Sequence, residues 1–232
     1  MNIIPPKVLA FDVFGTVVDW HSSIWREAEA LIPGVDGNRF ASAWRAGYKP
    51  AMDEVRSGQR GWTKIDDLHR IILDRVLKDF DIALDEQKRR TLNRAWRRLN
   101  PWPDTLEGMH RLKSRFMLTS LSNGNLGLLA NMAKHAALPW DLILSAEVFH
   151  HYKPDPETYL GVADIFELQP DQVMLVAAHE DDLDAAKACG LQTAFIRREN
   201  EYGPDIIVQY GDLTRFTYSA TNLNDLAAQL GV

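Results

Sequence analysis

The chain has 232 residues, with 26 Lys and Arg against 32 Asp and Glu, seven His and one Cys, and a formal net charge of −6. At 46% hydrophobic and 25% charged it has the composition of a folded protein, long enough for one sizeable domain or a core domain carrying a smaller insert. The acidic balance argues against a general nucleic-acid binder, and the lone cysteine excludes an intramolecular disulfide and a Cys-rich zinc site.

No run of about 18 apolar residues is present, so no membrane partner or span is expected. At the N-terminus Pro5, Pro6 and Lys7 break the apolar run, which argues against a secretory signal and for a cytoplasmic protein. The net charge hides a split. Residues 21–100 hold 16 basic and 12 acidic residues, while the remainder holds 10 and 20. Six of the seven Trp (Trp20, Trp25, Trp44, Trp62, Trp96 and Trp102) also fall in or beside that segment, which marks it as a separate structural layer.

In chain order, Val8-Leu9-Ala10-Phe11 is a continuous apolar run, the pattern of a strand buried on both faces, and it ends at Asp12 and a Gly15-Thr16 turn. From about His21 to Leu99 the pattern is helical. Ile65, Leu68, Ile72 and Val76 follow the amphipathic rhythm, as do Leu92, Trp96 and Leu99, and Pro33-Gly34 and Ser57-Gly58 punctuate the segment. Strands are predicted at 116–121, 142–144, 173–177 and 193–196. Helices are expected after Ser122-Asn123-Gly124 and near 182–189, with Gly190 as a stop. Alternating strands and helices imply an α/β fold with a parallel, Rossmann-like sheet. The predicted division is a core of residues 1–17 and 101–232 with a helical cap, residues 18–100, inserted after the first strand. Ligands of such sheets sit beyond the carboxyl ends of the strands, where Asp12–Thr16, Ser122–Asn123, Lys153 and His179–Asp182 converge.

These segments resemble the four motifs of the haloacid dehalogenase superfamily. Asp12-Val13-Phe14-Gly15-Thr16 is similar to the first, Leu121-Ser122-Asn123-Gly124 to the second, Tyr152-Lys153-Pro154-Asp155 to the third, and Val176-Ala177-Ala178-His179-Glu180-Asp181-Asp182 stands where the fourth belongs. The resemblance implies that Asp12 is a nucleophile. Magnesium phosphatases of the superfamily carry a second Asp two residues later to protonate the leaving alcohol; here that position is Phe14. Their fourth motif also carries an Asp ligand at the position of Ala178. Both departures fit the L-2-haloacid dehalogenase branch, because a halide leaves without a proton and needs no metal. No metal or cofactor is therefore expected. The implied substrate is a small 2-halocarboxylate, displaced by Asp12 through an aspartyl ester that water hydrolyses to a 2-hydroxy acid of inverted configuration. A magnesium-dependent phosphatase is the second reading.

The same resemblance assigns further roles. Phe14, Trp44 and Arg45 would line the substrate and halide site, although residue type alone reads Arg45 as one more exposed cap charge. Lys153 would hold Asp12 ionised. Thr16, Ser122 and Asn123 would hydrogen-bond the nucleophile and the substrate carboxylate, with helix capping as the plainer use of Asn123. Tyr159, six residues after Lys153 at the branch spacing, would also line the substrate site, with core packing as its alternative. Asp182 would orient the hydrolytic water. His179 stands where the branch has Asn. It either takes part in ester hydrolysis or merely fills that position. A homodimer is the assembly implied by analogy.

Overall fold

The computed structural model describes residues 5–232; the first four residues of the stretch read above for a signal lie outside it. The chain order is β1 (Val8–Phe11), β2 (Val18–Asp19), α1 (Trp20–Leu31), α2 (Gly37–Ala46), α3 (Tyr48–Arg56), α4 (Ile65–Asp79), α5 (Glu86–Asn93), β3 (Asn100–Pro101), α6 (Thr105–Lys113), β4 (Met117–Ser122), α7 (Leu126–His135), β5 (Leu142–Ser145), α8 (Ala146–Phe149), α9 (Pro156–Ile165), β6 (Val173–Ala177), α10 (Glu180–Ala188), β7 (Gln192–Ile196), β8 (Tyr218–Ala220) and α11 (Leu223–Gln229).

Six strands form one parallel sheet in the order β5-β4-β1-β6-β7-β8. β1 and β6 are buried along their whole length, which explains their unbroken apolar sequence. Phe11 pairs in register with Ser120 of β4 and Val176 of β6. That register brings Asp12, Ser122 and Ala178 to one rim, at the carboxyl ends of the three central strands.

The helices α2–α5 form the helical insertion, within a segment that opens at β2 and closes at β3. Its two ends are tied together by the antiparallel pair β2 and β3, with Val18 opposite Pro101. Asp19 and Asp36 start α1 and α2 by accepting backbone N–H bonds from Ser22 and Arg39, each at 3.0 Å. The tryptophans of this segment now have a structural reason. Trp20, Trp44 and Trp96 are buried, Trp44 meets Trp96 edge-on at 5.5 Å, and His69 stacks on Trp96 at 4.3 Å. Phe14 of the first motif packs on the same cluster, 6.0 Å from Trp96.

The helical rhythm predicted through Leu92, Trp96 and Leu99 holds for burial and fails for helix continuity. α5 stops at Asn93, and Arg94–Arg97 tighten into a 3₁₀ turn so that the chain can reach the β2 pairing. The two-residue strands β2 and β3, the short edge strand β8 and the helices α6 and α11 were not anticipated. Their runs are too short or too mixed to carry a period. Among the described residues no helix is long and apolar enough to cross a membrane.

Arg198, just past β7, locks this frame to the first motif. Its guanidinium donates to the Thr16 carbonyl at 3.0 Å and to both carboxylate oxygens of Asp104 at 2.7 and 2.9 Å. Asp104 in turn accepts from the Leu223 N–H at the start of α11. Arg198 is buried, so removing it takes the cation from a half-buried carboxylate and leaves the Thr16 carbonyl without that donor. Arg198→Ala should lower unfolding stability by about 3 kcal/mol in urea titrations; a loss below about 1 kcal/mol would place this pair with ordinary surface bridges.

Candidate active site

A cleft of about 370 Å³ opens where the carboxyl ends of the strands face the inserted helices. Asp12 is at its floor and almost fully buried. Lys153 Nζ donates to Asp12 Oδ1 at 2.9 Å, and Thr16 Oγ1 donates to Oδ2 at 2.8 Å. His179 Nδ1 lies 3.1 Å from the same Oδ2. Thr16 is fixed for this task, since its hydroxyl also accepts the Ala178 N–H at 2.8 Å. The same ammonium of Lys153 reaches Asp182 Oδ2 at 2.5 Å, and Tyr159 OH donates to Asp182 Oδ1 at 2.6 Å.

The electrostatics follow from these contacts. Burial opposes ionisation of Asp12, but the Lys153 charge and the His179 hydrogen bond outweigh it and hold the carboxyl below its ordinary range. Burial alone would lower Lys153; Asp12 and Asp182 together hold its ammonium above the ordinary value. Asp182 is pushed upward by burial and by the neighbouring Asp12 charge, against the pull of Lys153. For His179, burial favours the neutral ring, yet the Glu201 and Asp12 carboxylates hold it well above the usual imidazole value.

The helix starts explain the placement. His179 is the N-cap of α10, but its side chain makes no capping bond and is directed to Asp12. Asp182 lies in the first turn of α10, where the helix dipole favours a carboxylate. Asn123 Oδ1 accepts the Lys153 N–H at 2.7 Å, and so ties the second motif to the third. Ser122 Oγ accepts the Gly124 N–H at 3.1 Å and borders the cleft. Tyr159 is fully buried and also bonded to Asp182, so packing and a site contact coexist in it.

Across the cleft, Arg45 stands 4.4 Å over the Tyr48 ring and 5.5 Å over Trp20. No carboxylate pairs with it among the described residues, which leaves a cation facing the space above Asp12. Trp44 is the correction. Expected beside Arg45 at the substrate, it is wholly buried, donates Nε1 to the His69 carbonyl at 2.9 Å and does not line the cleft. Adjacent helix residues differ by about 100° around the axis, so Arg45 facing the cleft turns Trp44 into the aromatic cluster. The aromatic side chains that line it are instead Phe14, Tyr48, Tyr159 and Tyr202.

Glu201 is the residue that sequence reasoning missed. It is 2% exposed, and its carboxylate meets His179 Nε2 at 2.9 and 3.1 Å and accepts Trp20 Nε1 at 3.0 Å. It lies outside all four motifs, in a polar run after β7, and no local pattern singles it out.

The residues present do not fit a divalent cation. The Lys153 ammonium occupies the position between Asp12 Oδ1 and Asp182 Oδ2, and Ala178 offers no side-chain oxygen. A hard cation needs several oxygen donors where this site has a fixed positive charge.

Residues 6–190 match the family of haloacid dehalogenase-like hydrolases. The chain belongs to that family. Among solved structures, this hydrolase is 47% identical to the L-2-haloacid dehalogenase PA0810, with a TM-score of 0.91 over 98% of this chain and 100% of that one. It is 43% identical to a defluorinating L-2-haloacid dehalogenase, with a TM-score of 0.92 over 98% of this chain and 96% of that one. Among curated relatives it is 28% identical over 199 residues to (S)-2-haloacid dehalogenase 4A of Burkholderia cepacia, which covers 83% of this chain and 84% of the relative.

Replacing Lys153 by Met should leave Asp12 and Asp182 as neighbouring buried carboxylates with no cation between them. At pH 7 the variant should lose about 3 kcal/mol of unfolding stability. In the wild type the Asp12 contribution is present above its ordinary value of 3.8 and fades as pH falls through the lowered one. In Lys153→Met, stability should instead rise on mild acidification as the carboxylate pair takes up a proton. Urea unfolding from pH 4 to 8 checks both, and equal stability of the two proteins at pH 7 would contradict the assignment.

Proposed function

We propose that this hydrolase is an L-2-haloacid dehalogenase, cleaving carbon–halide bonds of small 2-haloalkanoic acids. One observation carries the reading: Asp12 is held ionised by donors on both oxygens, while Phe14 occupies the place of a general acid. Such a site can deliver a nucleophile but cannot protonate an alkoxide from that position, and a halide needs no proton.

Oδ2 of Asp12 already receives Thr16 and His179, whereas Oδ1 receives only Lys153 and keeps a lone pair. Oδ1 attacks the halogen-bearing carbon from the side opposite the halogen. A carbon–oxygen bond forms, the carbon–halogen bond breaks, and halide leaves with the electron pair toward Arg45. Backbone N–H groups and side chains at Ser122 and Asn123 hold the substrate carboxylate, and Phe14 and Tyr48 exclude water from the reacting carbon. Water then adds to the ester carbon, passing one proton to Asp182. The bond from that carbon to Oδ1 breaks, and Oδ1 leaves as the hydroxyl of the product after taking the proton back from Asp182. Asp12 regains an oxygen from water and ionises. The balance is one halide and one proton released per haloacid. Lys153 and Tyr159 hold Asp182 for this transfer, and His179 acts on the ester stage.

Halide release from both 2-chloropropionate enantiomers, chloroacetate and fluoroacetate, measured with EDTA present, tests the reading. Release from at least one acid, undiminished by EDTA and lost in Asp12→Asn, is the expected result. Silence with all four, together with Mg²⁺-dependent phosphate release from phosphate monoesters, would replace it with a phosphatase. Arg45→Ala should slow halide release by roughly a hundredfold, as expected when one preorganised charge at a leaving group is removed.

A further inference from the structure

The His179 ring is held at both ends. Nδ1 faces Asp12 Oδ2, and Nε2 faces the two oxygens of the Glu201 carboxylate. Glu201 is brought in by a long-range constraint rather than by motif. A Cβ on Gly15 would lie 2.2 Å from Glu201 Oε1, and Gly15 has φ +86°, so the glycine of the first motif provides both the turn and the space for this carboxylate. Trp20, at the start of α1, supplies Glu201 with its second partner.

When Oδ1 carries the alkyl group, Oδ2 is the carbonyl oxygen of the ester. The groups around Oδ2 are then the groups around the developing oxyanion. Thr16 Oγ1 has given its own acceptor lone pair to the Ala178 N–H and donates to Oδ2. His179 Nδ1 is the second group at that oxygen. We propose that Glu201 is a positioning residue that holds His179 as an Nδ1–H donor to the Asp12 ester carbonyl, so that Thr16 and His179 together form the oxyanion site of the hydrolytic step. The inference rests on the dehalogenase reading and assigns His179 an electrophilic role in it, with Asp182 taking the proton from water.

The charge arrangement favours this role. Esterification removes the Asp12 charge, one of the two that keep the ring protonated, and Glu201 is the one that remains. The other charged or titratable groups near the ring are Asp181 and Asp182 on its own helix, Lys153 across Asp12, Tyr202 beside Glu201, and Arg45 on the cap side. As water adds, the carbonyl π pair moves onto Oδ2, where Nδ1–H and the Thr16 hydroxyl meet it. On collapse the carbonyl re-forms, and both donors keep their protons. A preorganised donor at an oxyanion is worth roughly a hundredfold or more in rate.

The test is single-turnover kinetics on Glu201→Gln, with halide release timing the first step and intact-protein mass spectrometry timing decay of the ester. Glutamine can still accept from Nε2–H and from Trp20 but carries no charge. A base at His179 would make hydrolysis rise with pH through the ring's titration; a donor makes it fall. The expected result is a wild-type hydrolysis rate that declines on an alkaline limb. In Glu201→Gln that limb moves down by about one pH unit or more, with roughly tenfold accumulation of ester at pH 8. In the background of His179→Asn, adding Glu201→Gln should change nothing further, whereas a purely structural role for Glu201 would give additive losses. Glu201→Asp keeps the charge and should leave the alkaline limb close to its wild-type place; if Glu201→Gln folds poorly, Glu201→Met supplies the uncharged readout. Halide release by the wild type with an unmoved limb in the uncharged Glu201 variant, or a hydrolysis rate that keeps rising through the alkaline range, overturns this inference alone. Failure of the wild type to release halide from any haloacid overturns the dehalogenase reading beneath it.

Discussion

Lys153 Nζ lies 2.9 Å from Asp12 Oδ1 and 2.5 Å from Asp182 Oδ2, and its charge works against the burial that opposes ionisation of both carboxylates. Much of the site can be read as the means of placing that one ammonium. The side chain of Asn123 fixes the Lys153 backbone, the register of the central strands sets Asp12 opposite it, and the first turn of α10 delivers Asp182.

The same logic extends outward as alternating charge. Asp182, Lys153, Asp12, His179 and Glu201 form one chain of contacts, each anion next to a cation. Arg45 stands apart, held by the faces of Tyr48 and Trp20 instead of by an acid. That difference separates the two uses of positive charge. Lys153 and His179 face carboxylates of the protein, while Arg45 faces the open cleft with aromatic rings beside it.

Much of this was legible in the sequence, for identifiable reasons. Buried parallel strands write themselves as unbroken apolar runs, so β1, β4 and β6 were found within about one residue of their ends. Asp12, Thr16, Lys153 and Asp182 were legible because each follows a strand in a recognisable motif, and the structure brings them within hydrogen-bond reach of one another. Trp44 was misplaced because the resemblance carried it over together with Arg45, whereas on a helix the two point about 100° apart. Glu201 was invisible because its function comes from a contact with His179 across 22 residues and from the space that Gly15 leaves open. The strand pair β2–β3 was missed because two residues cannot display a period.

The central claim is that Asp12 becomes covalently attached to the substrate and is regenerated by water. One turnover in ¹⁸O-water, with enzyme in excess over the haloacid, tests it directly. The account predicts that the label appears in the Asp12 peptide and that the first 2-hydroxy acid formed carries none, because water attacks the ester carbon of Asp12. Label in the product, with an unlabelled Asp12 peptide, would mean that water displaces halide directly and would contradict the account.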